Sequence, residues 1–241
     1  MPEFRFHGEL GDFLPAPLRG RPLHRTVAAH QSAKHAIEAC GVPHTEIGRI
    51  AVNGEERPVS CRLAADDRID VYPLAPSPPA DSPPPRFIAD AHLGRLARHL
   101  RFAGIDTLWA NAWDDAELVA IAGREGRIAL TCDRGLLMHR ALQAGCHVRA
   151  RAPLAQLAQV ANRYGLPLHA ALPSRCLECN GLPLPVDRDE VAADLPPRIH
   201  AAFTEFWRCP GCRRLYWRGS HWERMRLAIA AVDSTPAAKS A

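Results

Sequence analysis

Residues 86–134 read RFIADAHLGRLARHLRFAGIDTLWANAWDDAELVAIAGREGRIALTCDR, and the fold is decided there. Three short apolar runs, RFIAD, DTLWA and RIALT, alternate with two stretches of helical period. In AHLGRLARHLRFAG, residues Leu93, Leu96, Ala97, Leu100 and Ala103 recur at i, i+3, i+4 and i+7, and the arginines fall mostly on the other face. Gly104 fits a helix stop. AELVAIAGREG repeats the pattern and also ends in glycine. Strand, helix, strand, helix, strand at this spacing predicts βαβ units and a parallel sheet, because parallel neighbours need a crossover. An aspartate stands at or just past the end of each strand: Asp90, the Asp114/Asp115 pair and Asp133.

Ligands of such sheets bind outside the carboxyl ends of the strands, so these aspartates are expected to converge on one edge. Crowded carboxylates raise one another's pKa unless a cation neutralises them. Mg²⁺ or Mn²⁺, hard ions that take oxygen ligands, fits such a set. Asp114, Asp115 and Asp133 also stand where a helix N-cap belongs. Capping or solvation is the competing reading for any one of them; that all follow strands favours a shared site.

At 241 residues the chain can hold one large domain or two to three small ones. Its formal net charge of +4 says less than the distribution. Residues 1–75 carry nine basic and ten acidic side chains, 86–172 eleven and seven, and 173–226 nine and seven. Positive charge gathers where a polyanionic partner would sit. The basic residues are almost all arginine, which suits phosphate, although base composition of the genome produces the same bias. With no charged-then-apolar leader and no apolar run near ~18 residues, a cytoplasmic protein without a membrane segment is expected. Eight cysteines with two C-x-x-C pairs then read as metal ligands rather than disulfides.

Taken in order, residues 1–75 give two strands, a helix opening at Gln31/Ser32 and stopping at Gly41, a strand into the Asn53–Gly54 turn, and a last strand ending VYPL. That order suits a β-grasp domain. Residues 76–85, PSPPADSPPP, read as an extended, semi-rigid linker. The α/β unit spans 86–172 and continues past Asp133 with a helix over GLLMHRALQAG, a strand over CHVRA and a helix opening at Pro153. His139, His147 and His169 show no partner pattern and are read as surface or satisfied histidines.

Residues 173–226 carry CLEC and CPGC, whose four thiolates, Cys176, Cys179, Cys209 and Cys212, fit one tetrahedral, structural Zn²⁺. Cys40, Cys61, Cys132 and Cys146 read as ordinary buried thiols. RRLYWRGSHWERMR, residues 213–226, interleaves arginine with aromatics. Arg213, Arg214, Tyr216, Trp217, Arg218, His221 and Trp222, with Arg95 and Arg98 on the first helix, are the expected RNA-binding set, arginines on phosphate and rings on bases. Packing of Trp217 and Trp222 against the α/β core competes with this. Residues 227–241 read as a flexible tail.

These motifs resemble those of the Mut-seven C-terminal RNase family, a PIN-like ribonuclease domain. The resemblance runs from DAHLGRLARHLRFAGIDTL through DDAELVAIA, EGRIALT-x-D, RCLECNGL and CPGC to LYWRGSHWERM, roughly residues 86–226. The segment before it resembles the ubiquitin-like, sulfur-carrier-type domain often fused ahead of that RNase. The resemblance implies Asp90, Asp115 and Asp133 as catalytic metal-binding acids, with Asp114 as substitute, and cleavage leaving a 5′-phosphate and a 3′-hydroxyl. Two positions depart from it. Cys132 stands where the family has arginine, and no acid lies between Asp133 and Glu178, which favours one metal over two. The first domain also lacks the terminal Gly-Gly of a working sulfur carrier.

The expected function is therefore a metal-dependent ribonuclease acting on RNA, single-stranded for preference. A protein partner through the ubiquitin-like domain is a further expectation. The alternative is a non-catalytic zinc-ribbon adaptor binding RNA or the ribosome.

Overall fold

The computed structural model describes residues 1–28, 30–74, 83–168 and 174–233. The first unit comprises β1 (Glu3–Phe6), β2 (Leu23–His24), α1 (Ala33–Glu38), β3 (Ile47–Val52), β4 (Glu55–Arg57) and β5 (Arg68–Pro73). Its sheet order is β2-β1-β5-β3-β4, with β1 and β5 parallel and the other pairs antiparallel. Helix α1 starts where Ser32 Oγ accepts from the His35 N–H at 3.4 Å. The β3–β4 turn holds Asn53 at φ 54° and Gly54 at φ 88°, the type I′ geometry that an Asn-Gly pair favours. This is the expected β-grasp. Residues 76–82 of the proline-rich linker, and His169, lie outside the described residues.

The second unit alternates β6 (Phe87–Ala89), α2 (Gly94–Phe102), β7 (Thr107–Leu108), α3 (Asp115–Glu125), β8 (Ile128–Thr131), α4 (Arg134–Leu137), β9 (Gly145–His147) and α5 (Pro153–Tyr164). All its strands are parallel, in order β7-β6-β8-β9. Side chains alternate as the pleat requires. Phe87, Ala89 and Leu130 pack with α2 and α5, while Ile88 and Ala129 pack with Leu118, Val119 and Ala122 of α3. The sheet therefore has helices on both faces, as an all-parallel sheet needs. The third unit is an antiparallel ribbon of β10 (Leu184–Val186), β11 (Phe206–Arg208) and β12 (Leu215–Tyr216), with α6 (Pro197–Ala202) before β11 and α7 (Ser220–Asp233) after β12.

Four expectations need correcting. The tail predicted from residue 227 begins as helix: α7 runs to Asp233, and its Ile229 is fully buried in the α2/α5 core, so an apolar anchor holds what composition alone presents as a frayed end. The helix predicted over 135–145 is the single turn α4. The β-grasp domain takes the carbonyls that would extend it, Thr45 Oγ1 donating to Leu137 O at 3.3 Å and His44 Nε2 bonding Leu142 O at 2.8 Å. Strand β7 has two residues, so Asp114 and Asp115 follow a loop, 109–113, rather than a strand end. Arg101, assigned with its helix's arginines to the solvent face, is buried.

Arg101 joins the ribbon to the sheet. Its Nε donates to Thr107 O at 2.8 Å, and its Nη1 donates to Leu177 O and Glu178 O at 2.9 Å each, so one planar guanidinium bridges β7 and the first C-x-x-C loop. Asn180 completes the seam. Its Oδ1 accepts from the Thr107 N–H at 3.0 Å, satisfying the edge of β7, and its Nδ2 donates to Asp106 at 2.8 Å.

The β-grasp domain docks on the opposite flank through Glu46, which is 0% exposed. One carboxylate oxygen accepts from the His147 N–H at 2.6 Å, the other pairs with Arg163 at 2.6 Å, and Arg163 also reaches Glu9 at 3.3 Å. Arg149 pairs with Asp12 at 2.9 Å, and Arg134 donates to Phe13 O at 3.1 Å.

Two outcomes follow from these contacts. Glu46→Ala leaves Arg163 buried with only the half-exposed Glu9, and should cost about 3–5 kcal/mol in chemical denaturation; a loss under ~1 kcal/mol would show that the domains do not rely on this pair. Arg101→Leu orphans the carbonyls it serves and should cost a similar ~3 kcal/mol, with faster proteolysis of the ribbon. Arg101→Lys should recover only part of it, since one ammonium cannot span both elements.

Candidate active site and metal centre

Parallel pairing of β6 with β8 in the register Ala89↔Leu130 sets Asp90 beside Thr131. The Asp90 N–H extends the ladder to Leu130 O at 3.0 Å. The buried Thr131 hydroxyl donates to Asp90 Oδ2 and accepts from the Asp133 N–H at 2.9 Å. Asp90 and Asp133 are thus joined through one side chain at the carboxyl edge, a link the sequence reading missed. Asp90 Oδ1 accepts from His92 N–H and Asp133 Oδ1 from Gly135 N–H, both at 2.7 Å. Asp114 caps α3, accepting from Glu117 N–H at 2.8 Å in a reciprocal capping box, and Asp115 occupies the next position, exposed.

Among the described residues none of these four aspartates has an ion-pair partner. They are also not gathered into one cluster. The set of three or more ligand-type side chains with atoms within 4.8 Å of one another is the four cysteines. Asp90 and Asp133 are neighbours; Asp114 and Asp115 stand on the β7 flank. Cys132, next to Asp133 in the chain, is exposed, its thiol pushed up by partial burial and by the charge of Asp90. Of the two readings given for it, His147 is the buried, hydrogen-bonded one. It bonds Cys132 O through Nε2 at 3.1 Å and packs on Phe13 with ring centroids 5.2 Å apart, and burial holds its pKa down.

Both C-x-x-C loops turn back through a left-handed residue, Asn180 at φ 68° and Arg213 at φ 63°. The turns are closed by Cys176 N–H to Gly181 O at 2.7 Å and Cys209 N–H to Arg214 O at 2.9 Å. Side chains at Gly181 would crowd Cys209 Sγ, a Cβ there falling 3.2 Å away. The four sulfurs lie within 4.8 Å of one another, the spread that a tetrahedral ion with Zn–S of about 2.3 Å, and so edges of about 3.8 Å, requires. Burial opposes ionisation of Cys176, but the Tyr216 hydroxyl and the backbone N–H groups of Cys179 and Glu178 hold its thiol down at about 6. Cys212 is pushed up to about 12 by burial and by the neighbouring cysteines. A soft divalent cation lets all four ionise together.

The aromatic-arginine strip divides. Tyr216 spends its hydroxyl on Cys176 Sγ and the Leu177 N–H, both at 3.0 Å. Trp222 packs on Phe102 at 6.2 Å in the α/β core, and Trp217 packs in the ribbon's own small core. Arg213, Arg214, Arg218 and His221 are exposed; Arg214 pairs with Glu178, and Arg218 with Glu205 at 3.3 Å. Rings point inward and cations outward. Arg95 and Arg98 are exposed on α2 and line a cavity of about 600 Å³ with Trp109 and Arg151, residues the sequence reading passed over.

No helix among the described residues is long and apolar enough to cross a membrane. Comparison with curated proteins and with solved structures gives no match. The Mut7-C ubiquitin family matches residues 1–77, and the Mut7-C RNAse domain matches residues 85–229. The second match covers more than half of the chain and contains both the aspartate edge and the four-cysteine cluster. The chain therefore belongs to the Mut7-C RNAse domain family, a nuclease-type domain preceded by a ubiquitin-like one.

Proposed function

We propose that the chain is a metal-dependent ribonuclease of PIN-like type. Asp90, Asp133 and Asp115 would hold Mg²⁺ or Mn²⁺, with Asp114 as the substitute ligand, and Cys176, Cys179, Cys209 and Cys212 would hold a structural Zn²⁺. The observation that carries this reading is the Asp90–Thr131–Asp133 link at the carboxyl edge of a parallel sheet, with no cation paired to either acid among the described residues. A carboxylate oxygen carries two lone pairs, so Asp90 can accept from Thr131 and His92 and still face an ion, and Asp133 Oδ2 accepts no hydrogen bond among the described residues. When bound there, a divalent ion would supply an acidified water and would neutralise charge on the phosphate. Thr131 orients Asp90, and the backbone N–H groups of His92 and Gly135 hold the two carboxylates at the edge. The exposed arginines on α2 and on the ribbon would track a single-stranded RNA backbone, and a cytoplasmic location belongs to the same proposal.

Asp90→Asn should abolish Mn²⁺-dependent cleavage of single-stranded RNA while circular dichroism and melting remain near the parent's, since Asn still accepts at the N-cap. Cleavage at the parent's rate would reject the site. RNA binding by the zinc-loaded chain that is the same with and without Mn²⁺, with no cleavage in Mn²⁺, would assign the chain to the adaptor reading instead. Thr131→Val, nearly isosteric, should raise the Mn²⁺ concentration for half-maximal activity about 10–100-fold, the range for losing a residue that orients a ligand.

Elemental analysis should find a single equivalent of zinc. Cys212→Ser or strong chelation should unfold the ribbon, because such ions contribute on the order of 10 kcal/mol of apparent folding energy. Full ribbon protection from protease in the metal-free chain would argue against a structural ion.

A further inference from the structure

A cavity of about 600 Å³ opens one turn beyond Asp90, between the starts of α2 and α5 and the first cysteine loop. His92, Arg95, Arg98 and Arg151 line it, against one carboxylate, Glu178, which is itself paired with Arg214. Among the described residues none of the three arginines has a carboxylate or hydrogen-bond partner, in a chain where Arg101, Arg127, Arg149, Arg163 and Arg175 all do. Three unpaired guanidinium groups beside one cavity repel one another until an anion arrives. The helix starts add to this. Neither α2 nor α5 has a side-chain cap, and Gly94 and Pro153 of their first turns face the same space.

One wall is aromatic. Trp109 lies over Gly94, where a Cβ would fall 2.7 Å from the indole, and its N–H donates to Ala91 O at 3.2 Å, which fixes the ring. The volume is within the about 300–1,000 Å³ of small-molecule sites.

We infer that this cavity is a nucleotide subsite: it takes one unstacked nucleotide of an RNA strand, the phosphate on Arg95, Arg98 and Arg151 and the base against Trp109. The inference rests on the ribonuclease reading only for the identity of the strand. Arginine forks supply the bidentate phosphate contacts, and an indole face accepts any base, so the subsite favours single strands without choosing sequence.

The test is calorimetric titration of the full, zinc-loaded chain in buffer free of Mg²⁺ and Mn²⁺, where no metal-held acid takes part, with AMP, adenosine, inorganic phosphate and a short 5′-phosphorylated single-stranded RNA. AMP should bind at least about tenfold more tightly than adenosine or phosphate, and the RNA should compete with it. Arg95→Gln combined with Arg151→Gln, both exposed and free of structural contacts, should weaken AMP by about tenfold or more with the melting temperature unchanged. Trp109→Leu should erase the preference of AMP over inorganic phosphate. Unchanged AMP affinity in the arginine double variant, or adenosine binding as well as AMP, would overturn the subsite. Failure of the RNA to compete would overturn its assignment to a strand, leaving free nucleotides as the ligand. Asp90→Asn should bind AMP as the parent does. Cleavage lost with AMP binding kept bears on the metal acids alone, and AMP binding absent with cleavage kept removes the subsite alone.

Discussion

The architecture depends on a buried cation. Arg101 sits inside the seam between a two-residue edge strand and a cysteine loop, neither of which has enough apolar surface to hold itself in place. A guanidinium there would be costly to bury alone. It is tolerated because carbonyls of Thr107, Leu177 and Glu178 all point at it; burial still pulls its pKa down, and the nearby Cys176 and Cys179 oppose that only in part. Charge runs both ways through the seam: the cysteine cluster gathers negative charge, and Arg101 is the neighbouring positive one. The order of the first cysteine loop and the order of β7 are therefore coupled through one side chain. Since β7 leads into the loop that carries Trp109 and then Asp114 and Asp115, the ribbon reaches the aspartate edge without contributing a ligand to it.

The other flank shows the same economy. The β-grasp domain is attached through buried Glu46 and Arg163, and its Phe13 ring lies on His147, whose Nε2 bonds the carbonyl preceding Asp133. Arg134, next to Asp133, donates to Phe13 O. The segment around the second acid is thus bounded on one side by Thr131 and on the other by a different domain. A loop held from both sides keeps a carboxylate in one place, which a site built at strand ends requires. The ubiquitin-like domain, which lacks a Gly-Gly terminus, has in these contacts a role within the chain.

Much of this was legible in the order of residues. The helical stripes alternating with short apolar runs pointed to the parallel sheet, Asn53–Gly54 to a hairpin, and the paired C-x-x-C loops to four gathered thiols. What escaped has a common cause. Arg101 follows Leu100 and lies four residues after Ala97, so it sits at the border of the apolar stripe, where a charged letter is ordinarily solvated; only the approach of carbonyls from residues 177 and 178 makes burial possible, and that approach is long-range. The shortening of α4 has the same origin, since the donors that end it, Thr45 and His44, come from the first domain. Ile229 likewise looked like part of a tail because its partners in α5 lie far away in sequence. Local pattern reports local preference; tertiary donors and acceptors overrule it at the seams.

The aspartates show where two readings of one residue are not rivals. In a parallel sheet with helices on both faces, each strand hands over to a helix at its carboxyl edge, so the residue that caps the helix and the residue that faces a ligand occupy the same stretch of chain. Asp90, Asp114 and Asp133 all cap, each with one oxygen accepting from the N–H two or three residues on. Capping fixes the carboxylate's direction through that oxygen and leaves further lone pairs outward. Thr131 adds what capping lacks, a bond between two caps on adjacent strands, and so turns two local motifs into one edge. A threonine at the end of a strand, followed after one residue by aspartate, is an ordinary local sequence; its meaning comes from the register that sets Asp90 next to it.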